Sequence, residues 1–60
     1  MDNEFAAACR DQHSVEELEA LLRGPISIED CEFWEIEPDV WSASVALALN
    51  WKIAEMNENV

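Results

Sequence analysis

The residues most able to do chemistry are carboxylates. Between positions 29 and 39, six of eleven residues are acids: Glu29, Asp30, Glu32, Glu35, Glu37 and Asp39. Phe33, Trp34 and Ile36 are interleaved with them. On a helix, carboxylates three and four positions apart stand about 5–6 Å from one another. Such a row presents itself to a basic groove much as a nucleic-acid strand does. Aromatic residues beside it supply anchors of the kind that dominate interface energetics. No Lys or Arg occurs from 24 to 51, so nothing in the sequence neutralises the row locally. The bland alternative is a solvated face on an acidic protein.

Other chemistry finds less support. The acidic run lacks the D-x-[DN]-x-[DN]-G pattern of a calcium loop, and the single glycine lies elsewhere. Cys9 and His13 are four apart and Cys31 could join them as soft ligands, but their spacing matches no zinc motif. Two partly buried, reduced thiols are the simpler expectation, and no metal or cofactor is implied. One His and two Cys come without a nucleophile elbow or oxyanion motif, so the chain is not expected to be an enzyme. A chain this short also leaves little room for a substrate cleft.

Charge decides between classes of partner. Fourteen acids against three bases give a net charge of −11. That excludes direct binding to nucleic acid or anionic membrane, which need cations to neutralise phosphates. It favours a basic protein. The N-terminus carries no signal-peptide pattern, and the longest uncharged run, 40–51, falls well short of the roughly 20 residues of a membrane span. A cytoplasmic location is the expectation.

Four helical segments must position these groups. Residues 2–12 place Phe5, Ala8, Cys9 and Gln12 on one face, with Asp2 and Glu4 at the positive end of the dipole. Ser14 and Glu17 form a capping box ahead of Val15, Leu18, Leu21 and Leu22, over residues 14–23. Gly24 then offers a left-handed cap and Pro25 forbids continuation. Ser27 caps a short helix over 28–35, with Ile26 as a staple onto Cys31 and Pro38 disfavouring continuation beyond Glu37.

Residues 38–56 form the fourth helix, with Pro38 in its first turn and a fraying tail at 57–60. It carries two apolar stripes. Trp41, Val45, Ala48, Leu49 and Met56 make one; Val40, Ala43, Leu47, Trp51 and Ala54 make the other, nearly opposite. Phe5, Leu18, Leu21, Leu22 and Ile28 are the candidate cover for the first.

The expected architecture is all-α: residues 1–60 as a single small domain, a compact bundle of three short helices packed on one long C-terminal helix. At least one of the three tryptophans should be partly exposed, because the interior is too small for all of them. The expected function is inhibition by protein–protein interaction: binding and blocking a basic, nucleic-acid-binding partner through Glu29, Asp30, Glu32, Phe33, Trp34, Glu35, Glu37, Asp39 and Trp51. Viral and mobile-element inhibitors of host defence, anti-CRISPR proteins among them, are often short, acidic and free of catalytic motifs. That is an analogy of size and charge, not of motif. The alternative is an oligomerising structural or adaptor subunit, a homodimer formed through the second stripe.

Overall fold

The computed structural model describes residues 4–58. Among them run four helices: α1 (Glu4–Gln12), α2 (Val15–Arg23), α3 (Ile28–Trp34) and α4 (Pro38–Glu58). The expected helix start at Asp2 lies outside the described residues. All three short helices pack on α4.

Local rules set most boundaries. Ser14 is the N-cap of α2: its hydroxyl accepts the Glu17 N–H at 3.2 Å, and the Glu17 carboxylate accepts the Ser14 N–H at 2.8 Å. The Ser27 hydroxyl accepts the Asp30 N–H at 3.3 Å and opens α3. The Glu37 carbonyl accepts the Trp41 N–H at 2.9 Å, which puts Pro38 at the first helical position, where its missing N–H costs nothing.

Two ends differ from expectation. Gly24 closes α2 in an extended conformation, φ −87° and ψ −176°, not a left-handed one. The cause is Pro25, whose ring excludes helical geometry from the residue before it. The left-handed cap belongs to Glu35, at φ 55°. There the Ile36 N–H reaches back to the Cys31 carbonyl at 3.0 Å, which shortens α3 to end at Trp34. α4 also continues through Asn57 and Glu58, beyond the predicted end at 56.

The core gathers Phe5, Cys9, Leu18, Cys31, Trp41, Val45 and Ala48, with Leu21, Ile26, Trp34, Ile36 and Leu49 packed around it. Trp41, Val45 and Ala48 are the inner line of α4. The next residue on that line is Lys52, whose ammonium donates to the Arg10 carbonyl at 2.8 Å. The line thus changes from apolar burial to capping the end of α1. Met56, one turn further, is 60% exposed, at an open gap between the start of α2 and the end of α4. Ile28 (58% exposed) and Leu22 (38%) likewise stand out of the core. On α1, Ala6 is fully buried and Gln12 exposed, so the buried face is rotated slightly from the predicted one.

Cys9 and Cys31 are buried free thiols. No helix among the described residues is long and apolar enough to cross a membrane.

Candidate interaction surface on α3

Seven residues make α3, and its two sides have opposite character. Ile28, Glu29, Glu32 and Phe33 are exposed, and their spacing places them on one outward arc. Asp30, Cys31 and Trp34 face the interior. Cys31 is buried in the core. Asp30 is half-buried and accepts the Trp41 indole N–H at 3.4 Å. Of the six predicted acids, Asp30 is therefore the one committed inward, while Glu29, Glu32, Glu35, Glu37 and Asp39 stand in solvent.

Phe33 is the most exposed large apolar side chain described, at 79%. It nevertheless has one ring contact. Its ring meets Trp34 edge-on, with centroids 5.7 Å apart. Trp34 packs on Phe5 at 5.4 Å, and Phe5 lies 6.5 Å from Trp41. Four rings thus run from the surface into the core. The Trp34 contact gives the Phe33 ring one packed neighbour, while most of its surface is left for a partner to bury.

The basic residues are spent inside the molecule. Arg23 pairs with Glu19 one turn earlier at 3.1 Å. Arg10 pairs with Asp11 and lies over the Trp51 ring, 5.5 Å from its centroid. Lys52 caps α1. Among the described residues, none of them pairs with a carboxylate of α3.

Trp51, the remaining predicted contact residue, is not brought to this surface. It lies ten residues beyond Trp41 on α4, about 15 Å along the axis, and is half-buried under Arg10. The second stripe of α4 is only partly covered: Val40, Leu47 and Trp51 are half-buried, Ala43 and Ala54 exposed.

Among the described residues, no three His, Cys, Asp or Glu side chains converge as a metal site requires. Burial, and secondarily the Asp30 charge, push the Cys9 thiol up to about 11, so near neutrality it carries no reactive thiolate.

Two features escape the sequence pattern. The outward position of Ile28 extends the apolar part of the α3 surface, although helical periodicity assigns it to the core. An open groove of ≈ 510 Å³ lies between the start of α2 and the end of α4, lined by Ser14, Val15, Glu16, Lys52, Glu55 and Met56. Neither could be found without knowing where the short helices stop.

Comparison with known proteins finds no matching family model, no similar curated protein and no similar solved structure.

Proposed function

We propose that this protein is a small acidic inhibitor that docks on a basic, nucleic-acid-binding protein through the outward arc of α3 and blocks its groove. The observation that carries the reading is Phe33: an aromatic 79% exposed, in edge-on contact with Trp34, on the same outward arc as Glu29 and Glu32. An isolated acidic face would be explained by solubility alone. An exposed aromatic beside those acids adds what charge alone does not, a large apolar side chain for a partner to bury. In this reading Glu29, Glu32, Glu35, Glu37 and Asp39 supply the field that steers association, Phe33 supplies the anchor, and Ile28 adds apolar area at the other edge of the arc. Asp30 and Trp34 hold the arc in place rather than touch the partner.

Affinity capture from a lysate at low and high salt tests this. Screening shortens the Debye length from roughly 10 Å at 0.1 M to about 3 Å at 1 M. A basic nucleic-acid-binding protein should be recovered at low salt, released at high salt, and lost with Phe33→Ser. Recovery that is indifferent to salt and to Phe33 overturns the reading.

A further inference from the structure

The groove at the opposite end of α4 is an independent feature. Its lining includes the apolar side chains of Val15 and Met56 and the exposed acids Glu16 and Glu55. Its one cation, Lys52, directs its ammonium to the Arg10 carbonyl. The groove therefore offers two apolar side chains and two carboxylates without partners across it. That combination fits an apolar side chain carried one helical turn from a lysine or arginine. We infer that the groove is a docking site for a basic amphipathic segment of a protein partner.

Charge selects this occupant over a second copy of the chain. A two-fold contact through the groove would bring Glu16 and Glu55 against their own copies, between molecules that each carry −11. A cationic segment is attracted by the same groups. Trp41, beneath α3, and Met56 are fifteen residues apart on α4, or about 22 Å along its axis. One extended basic surface can engage both ends of the molecule, so the groove gives the partner of α3 a second contact. Only that last step rests on the function proposed for α3.

The test is a titration of the isotope-labelled full chain with a short helical Leu–Lys peptide, followed by amide chemical shifts. A Ser–Lys peptide of equal charge is the control. The Leu–Lys peptide should shift Val15, Glu55 and Met56 saturably, and the control should not. Met56→Ser, at a side chain already largely in water, should keep the fold and weaken that binding about tenfold. Phe33→Ser should leave the groove response unchanged, so a failure of the α3 reading would not be mistaken for a failure here. Equal shifts with both peptides would overturn the inference. So would groove shifts that follow protein concentration without peptide, which mark a second copy as the occupant.

Discussion

The indole N–H of Trp41 donates to the carboxylate of Asp30 at 3.4 Å, joining the middle of α3 to the first turns of α4. Trp41 is almost completely buried, so this is the partner its polar atom requires. The bond also fixes which side of α3 looks outward, because turning Asp30 inward sets Glu29, Glu32 and Phe33 toward solvent.

The Asp30–Trp41 pair should therefore be measurable as a coupling. At 3.4 Å the bond is long, which places its value toward the low end of the range, about 0.5–1 kcal/mol. Asp30→Ala leaves a buried N–H without its acceptor and should cost about 1–3 kcal/mol. Urea unfolding of Asp30→Ala, Trp41→Phe and the double variant checks this. Strict additivity of the two single changes would remove the link.

The caps give a contrast between two positions. Glu35 sits in the left-handed region at φ 55°, where a side chain is strained by about 1 kcal/mol. Glu35→Gly should raise stability by up to about that amount. Gly24 is extended, and an added Cβ would meet only the Ala20 carbonyl oxygen at 3.4 Å, an ordinary contact. Gly24→Ala should be neutral or stabilising by about 0.4–1 kcal/mol, through the unfolded chain. Thermal unfolding of both variants decides it; strong destabilisation by Gly24→Ala would contradict the cap geometry.

These two residues also mark how far the sequence could be read. The Ser14–Glu17 box was legible because its partners are three residues apart and each has one job. Gly24 misled because two local rules met there, and the proline's steric demand outweighed the glycine's freedom. Helical periodicity correctly put Trp41, Val45 and Ala48 inside. It also assigned Leu22, Ile28 and Met56 to the core, because a stripe says which side is apolar and not whether a neighbour reaches it. The ties between Asp30 and Trp41, and between Lys52 and the Arg10 carbonyl, span eleven and forty-two positions, and no local pattern announces them. The acidic row itself was plain, but which acid turned inward was not.

Acid should act on the α2 cap. The Ser14 backbone N–H bond holds the Glu17 carboxyl below its ordinary value. A depressed folded-state value gives stability above the ordinary carboxylate range, lost as pH falls through the folded value. Glu17→Ala should therefore destabilise at pH 7, with the difference from wild type shrinking below about pH 4. Chemical unfolding across that range checks it; a pH-independent difference would contradict the cap. Ser14→Ala should cost about 1 kcal/mol at neutral pH.

Alkali should act on the core. With the Cys9 thiol raised from 9.0 to about 11, folded and unfolded chains both hold the proton below pH 9. Between 9 and 11 the unfolded chain releases it and the folded chain does not, so stability falls over that window. Cys9→Ala should flatten the alkaline limb. At pH 8 a disulfide reagent should modify Cys9 only at the rate of opening. Rapid modification of the native chain would contradict its burial.

The central claim is that α3 occupies a groove meant for nucleic acid. The most direct measurement is displacement of a labelled oligonucleotide from the captured partner. Wild type is compared with a variant carrying Glu29→Gln, Glu32→Gln and Phe33→Ser, all at exposed positions that leave the fold intact. The wild-type chain should displace the oligonucleotide at low salt and the variant should fail to. A partner that keeps its nucleic acid while bound to the wild-type chain, or releases it equally to the variant, would contradict the account.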